Sequence, residues 1–128
     1  MSKTVIRAEG APAAVGPYAH AIRAGELVFT SGQVGLDPAS GRLVDGGIGA
    51  QTRRAIENVK AILAAADCGT ADVVKTTVFL TSMDDFQAMN TVYAEFFGEH
   101  RPARSTVAVV RLPVGAIVEI EATAIRSR

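Results

Sequence analysis

Residues 117–125 constrain this chain more than any other stretch. Ile117, Glu119 and Glu121 fall on one side of an alternating run, and Val118 and Ile120 fall on the other. That is the period of a half-buried strand. Carboxylates on such a strand are costly unless they are paired or solvated. Upstream, residues 105–110 form a β-branched and small run between Pro102 and Pro113, which reads as another strand. Arg104 stands at its mouth and is followed only by small side chains, so little covers its guanidinium. A guanidinium is the preferred fork for a planar carboxylate, and a glutamate such as Glu119 can move protons. The pair predicts a small anion site with an arginine anchor and a glutamate acid/base.

The remaining elements follow from periodicity. Residues 4–7 read as a short strand, and 8–17, with Gly10, Pro12, Gly16 and Pro17, as a loop. Residues 19–23 and 27–31 read as two strands of a hairpin turning at Ala24, Gly25 and Glu26. A glycine-rich loop is expected over 32–49. Loops of that length in a small domain are often functional or at an interface. Residues 51–66 place Ala55, Ile56, Val59, Ile62, Leu63 and Ala66 at helical spacing, opposite Arg53, Glu57 and Lys60. Gly69 is placed to end that helix. Residues 73–80 are apolar or threonine almost throughout, the pattern of a strand buried on both faces. Ser82, with Asp85 as a weak capping box, opens a second helix. Its stripe is Phe86, Met89, Tyr93, Phe96 and Phe97, and Gly98 stops it. The expected architecture is one α+β domain over residues 1–128: a mixed six-stranded sheet with both helices on one face. The other face then needs cover, and self-association is the simplest source of it.

Composition narrows the function. A chain of 128 residues with 48% hydrophobic residues forms one domain with a real core and is not disordered. Thirteen basic and 13 acidic residues give zero net charge, which argues against a nucleic-acid binder working through a broad basic surface. No apolar run approaches a membrane span and the N-terminus has no signal-peptide core, so no membrane partner is expected. The single Cys68 cannot form an internal disulfide, which makes the cytoplasm the default compartment. His20, His100 and Cys68 show no metal-ligand spacing, so no metal is expected. Gly46, Gly47 and Gly49 lack the lysine of a phosphate loop.

Seven stretches taken together resemble one family: GPYAHA at 16–21, TSGQ at 30–33, QTRRAIENVKAIL at 51–63, VVKTTVFL at 73–80, MNTVYAEFF at 89–97, RPARSTVAV at 101–109 and VEIEA at 118–122. They are similar to the RidA (YjgF/UK114-type) imine and enamine deaminases, in order and over nearly the whole chain. The resemblance implies a chorismate-mutase-like α+β fold, a homotrimer whose sheets form a central barrel, and clefts between subunits. It implies hydrolysis of 2-iminoacids and enamines such as 2-aminoacrylate to 2-oxoacids and ammonia, with no cofactor. It places the carboxylate-binding arginine on Arg104 and the water-activating glutamate on Glu119. Tyr18 becomes the cleft tyrosine, Ser31 and Gly32 the hydroxyl and backbone contacts, and Asn90 the helix asparagine. The chain departs from the deaminase pattern at Thr106, where cysteine is frequent, and at Ala19 and His20, where serine and glutamine are frequent.

Each candidate also has a plainer role. Arg104 fits a surface ion pair and Glu119 an interface charge, with Glu121 competing on the same face. Asn90 falls on the apolar stripe of the second helix and suits a clamp on a loop as well as a ligand contact. Tyr18 fits ordinary packing, and Thr106 a strand position or a hydrogen-bond donor to substrate. His20 reads as a satisfied histidine and Cys68 as a small packing residue. Besides deamination, the same cleft suits a metabolite-binding or chaperone-like trimer without turnover. RNA cleavage is disfavoured by the neutral charge and the lack of a histidine pair.

Overall fold

The structure, a computed structural model, describes residues 2–126. In chain order its elements are β1 (Lys3–Ile6), β2 (Ala21–Ala24), β3 (Leu27–Thr30), β4 (Gln33–Val34), α1 (Gly47–Ala65), β5 (Val73–Leu80), α2 (Phe86–Phe97), β6 (Ala103–Ala108) and β7 (Val118–Ile125). β7 is the axis of the sheet. It pairs antiparallel with β3 and β4 along one edge and with β5 along the other. The order is β1-β2-β3-β7-β5-β6, and only β5 and β6 run parallel. Parallel neighbours need a crossover, and α2 supplies it. β1 and β6 are the edge strands.

The sheet of the described residues is seven-stranded, not six-stranded, because the expected 32–49 loop contains β4. β4 continues β3 along β7 after a bulge: Phe29 faces Thr123 and Gln33 faces Ile120, four steps against three. Ser31 and Gly32 sit in that bulge. The β2–β3 hairpin is tighter than expected, with Ala24 opposite Leu27 and a two-residue turn whose Gly25 takes φ 61. Residues 105–110 and 117–125 do not form a hairpin with each other. β5 lies between β6 and β7 because α2 hands the chain on to the far edge.

Alternation along β7 holds throughout. Val118, Ile120, Ala122 and Ala124 are buried against α1 and α2, and the odd-numbered residues face away. β5 is buried on one side only: Val73, Thr76, Val78 and Leu80 point to the helices, while Lys75, Thr77 and Phe79 do not. The strand reads as doubly buried because threonine and phenylalanine suit a pleated surface whether or not it is covered. Val5, Leu27, Phe29, Val107 and Ile125 are exposed apolar residues on this uncovered side.

Two helix boundaries differ from expectation. α1 begins at Gly47, one turn earlier than expected, and its C-terminal left-handed residue is Asp67 (φ 60) rather than Gly69. Ser82 caps a 3-10 turn, Met83–Asp85, by accepting from the Asp84 N–H, and α2 starts only after it. The two helices are tied by a bidentate Arg53–Glu95 pair at 2.9 and 3.2 Å. No helix among the described residues is long and apolar enough to cross a membrane.

Candidate functional site

The expected site residues divide into two groups. Tyr18, Ser31, Gly32 and Glu119 line one cavity of about 320 Å³, with Val34 and Val114 among its apolar walls. Arg104 and Asn90 line a separate depression beside the end of α2, with Tyr93, Phe97 and Pro102. Thr106 lies two residues beyond Arg104 on the same face of β6, paired with Val78, and lines neither.

Glu119 reaches its cavity because β7 alternates and because β4 pairs with it there, Val34 opposite Glu119. Its side chain lies across Gly32. A Cβ on Gly32 would overlap the carboxylate and come within 2.8 Å of the Glu119 Cδ, so glycine leaves the space the side chain occupies. Among the described residues no ion pair holds this carboxylate. Burial pushes its proton affinity above the ordinary carboxylate range, and Glu121 on the same face adds to the rise. The group is thus a base whose proton is easily retained, set in an apolar-walled cavity.

The cavity wall is pinned by hydrogen bonds. Ser31 Oγ donates to the Ala19 carbonyl at 2.6 Å, and the Ser31 N–H donates to the His20 carbonyl at 2.8 Å. Thr30 Oγ1 accepts from the Ala122 N–H at 3.0 Å, satisfying a strand amide beside the bulge. The Tyr18 ring folds over Gly16, and its hydroxyl accepts from the Val15 N–H at 3.2 Å. His20 is a satisfied, buried histidine. Its Nδ1 accepts from the Ala8 N–H at 2.9 Å, which leaves Nε2 to donate to the Pro12 carbonyl at 2.8 Å.

Arg104 is held by aromatic faces, and no acid among the described residues pairs with it. Its guanidinium carbon lies 4.7 Å from the centre of the Tyr93 ring and 5.7 Å from that of Phe86. Stacking orients the fork and leaves its N–H edges available. Tyr93 is in turn fixed by a 2.7 Å hydrogen bond between its hydroxyl and Thr76 Oγ1. Burial raises the Tyr93 phenol above its ordinary value, so it stays neutral beneath the guanidinium. Asn90 Oδ1 is buried and has no hydrogen-bond partner among the described residues. Asn90 does not clamp a loop, contrary to the structural role its stripe position suggested. That work falls to Asn58, which is wholly buried and whose Nδ2 donates to the Val34 and Leu36 carbonyls at 3.1 and 2.9 Å. Asn58 was legible as a polar residue at helical spacing between Ala55 and Ile62.

A small α+β domain with a poised carboxylate in a bulge-walled cavity and, on the edge strand β6, a ring-stacked arginine with no ion pair among the described residues defines a class of small-molecule site. The comparisons with known proteins place it. The chain belongs to the YjgF/RidA family: the family model described as Endoribonuclease L-PSP matches residues 8–126. A RutC family protein of Pyrococcus horikoshii is 52% identical over 95% of this chain and 97% of its own. The 2-iminobutanoate/2-iminopropanoate deaminase of Salmonella typhimurium is 49% identical over 98% and 99%. The crystal structure of Escherichia coli TdcF with bound serine superposes with a TM-score of 0.92 at 44% identity, covering 97% of this chain and 99% of that one.

Proposed function

We propose that this chain is a 2-iminobutanoate/2-iminopropanoate deaminase, hydrolysing 2-aminoacrylate-type enamines and their imines to 2-oxoacids and ammonia. The observation that carries the reading is Glu119: a half-buried carboxylate that faces an apolar-walled cavity with no ion pair among the described residues, its proton affinity raised by burial. The names of the relatives and the serine bound in TdcF support a small amino-acid-derived substrate.

The Arg104 guanidinium binds the substrate carboxylate through two parallel N–H···O bonds. The enamine tautomerises to the imine. A water held by Glu119 adds to the imine carbon while the carboxylate takes its proton, and the proton passes to nitrogen. Glu119 then moves the carbinolamine hydroxyl proton to nitrogen, the C–N bond breaks as the C=O bond forms, ammonia leaves and the 2-oxoacid remains. Acid–base help of about 10²–10⁴ in rate is enough, because such imines already hydrolyse unaided. Tyr18, Ser31 and Gly32 line the substrate's cavity, and Asn90 and Thr106 flank the arginine.

Arg104 and Glu119 of one chain face away from each other, so one site takes them from two copies. That geometry, the uncovered apolar sheet face and the family resemblance support a chorismate-mutase-like subunit in a homotrimeric barrel with shared clefts. We assign it to the cytoplasm, acting on free metabolites. Nucleic-acid cleavage has little to work with: both histidines spend Nε2 on main-chain carbonyls, of Pro12 and Val73.

The test is ammonia release from an imine generated by an amino-acid oxidase. The deaminase accelerates it; retained 2-oxoacid binding without acceleration would leave a binding protein in its place. In the same assay Arg104→Lys should lose on the order of 10- to 100-fold in kcat/KM, the worth of one charge-assisted hydrogen bond of about 1.5–3 kcal/mol.

A further inference from the structure

α1 contributes no side chain to the lining of the cavity, but it holds the cavity's walls through two amides. Gln51 and Asn58 are two turns apart and face the same way. Gln51 Oε1 accepts from the Ile117 N–H at 3.0 Å. The Ile117 carbonyl accepts from the Thr81 N–H at 3.2 Å, so this residue, two before Glu119, is held through both its main-chain groups. Asn58 Nδ2 holds the Val34 and Leu36 carbonyls, and Arg54 Nε donates to Asn58 Oδ1 at 3.2 Å, which fixes which way the amide points. The backbone between these anchors is pressed onto the helix: a Cβ on Gly35 would come within 2.9 Å of the Gln51 Cα. One helix face therefore grips both walls of the cavity, the segment carrying Val34 and Leu36 and the segment carrying Pro113, Val114 and Glu119.

We propose that Gln51 and Asn58 are positioning residues that set the width of the Glu119 cavity and keep bulk water from its carboxylate. The proposal rests on reading Glu119 as the acid–base group. Apolar residues of the same size would fill the space without holding three main-chain groups. The ionisable groups around that carboxylate are Glu121 on β7 and Tyr18 and His20 in the cavity wall. None of them touches Gln51 or Asn58 through a hydrogen bond, so a change at either amide reaches Glu119 through wall geometry.

The experiment uses Gln51→Met and Asn58→Leu, with Ile62→Val as a core control on the same helix. The carbon-13 carboxyl shift of Glu119 is titrated in each, alongside the pH profile of kcat. Parted walls hydrate the carboxylate. Its titration then moves down toward the ordinary glutamate range, and kcat falls by on the order of 10- to 100-fold, as a displacement of about 1 Å does, with KM little changed. The control lowers thermal stability and moves neither. A folded Gln51→Met protein with the parent titration and kcat overturns the proposal, as does a control that shifts both equally. If a variant does not fold, the parent decides: its Ile117 amide should exchange as slowly as the β7 amides, and exchange at an exposed-loop rate overturns the clamp. Because titration and exchange need no turnover, an inactive parent would sink the deaminase reading alone.

Discussion

Arg104 and Glu119 lie on opposite faces of one sheet. Arg104 pairs with Thr76, whose side chain points to α2, while Glu119 pairs with Phe79, three residues further along β5. Three steps along a strand reverse the face, and the offset adds about 10 Å along β5 to roughly 10 Å across two strand spacings. A substrate of a few heavy atoms cannot span that distance through the sheet.

Inactive Arg104→Ala and Glu119→Gln proteins should therefore restore each other when dissociated and reassembled together, because some mixed sites receive both wild-type residues. Activity is read by ammonia release and mixing by native mass spectrometry. Mixed assemblies without activity would place both residues in one copy's site.

Glu119→Gln should lower kcat by about 10²–10⁴-fold while 2-oxoacid binding changes little. The same substitution should raise the melting temperature at neutral pH. The folded-state proton affinity of Glu119 is raised by burial and by Glu121. The stability tied to its proton is full below the unfolded-state value and is lost as pH climbs through the higher folded value. The parent thus loses stability over that window and the amide variant does not. Equal melting temperatures above it would show that the carboxylate is not perturbed.

Gly32→Ala should leave the fold intact and impair turnover. The added methyl meets the end of a flexible side chain, not backbone, so Glu119 rotates away at small cost. Its pH profile should shift together with the fall in kcat. Full activity would mean that Glu119 does not work from the position it occupies.

Tyr93→Phe keeps the ring beneath Arg104 and leaves the Thr76 hydroxyl, 1% exposed, without its partner. Leaving a buried hydroxyl unsatisfied costs about 1–3 kcal/mol, measurable by denaturant unfolding. KM should follow Tyr93→Leu more than Tyr93→Phe, since only the former removes the face on which the guanidinium rests.

Elements whose residues obey one period were legible. The α2 stripe through Met89, Tyr93 and Phe97 is buried as spaced, and the β7 alternation predicts which glutamates leave the core. Strand order was not legible, because residues 103–108 carry nothing that distinguishes β5 from β7 as a neighbour. β4 was hidden for a related reason: two residues between glycines have no period, and only pairing across the bulge makes them a strand. At the site, residue type proposed Arg104 and a glutamate of β7, and only the family resemblance separated Glu119 from Glu121. The distance between Arg104 and Glu119, a whole sheet, depends on register, which a single sequence does not carry. Asn58 and Asn90 show the limit at side-chain level. Both are amides on a helix's apolar side, and only tertiary contacts decide which one holds main chain.

The uncovered sheet face also bears on how the chain is made. A newly synthesised copy presents Leu27, Phe29, Val107 and Ile125 to water, and β1 and β6 leave their outer edges unpaired within the chain. In the proposed assembly that face is covered by other copies, and a copy still on its own has the surface of an aggregation-prone intermediate. Substitutions that weaken the proposed assembly would then show first as poor soluble yield in the cell, before any purified sample revealed a slower reaction.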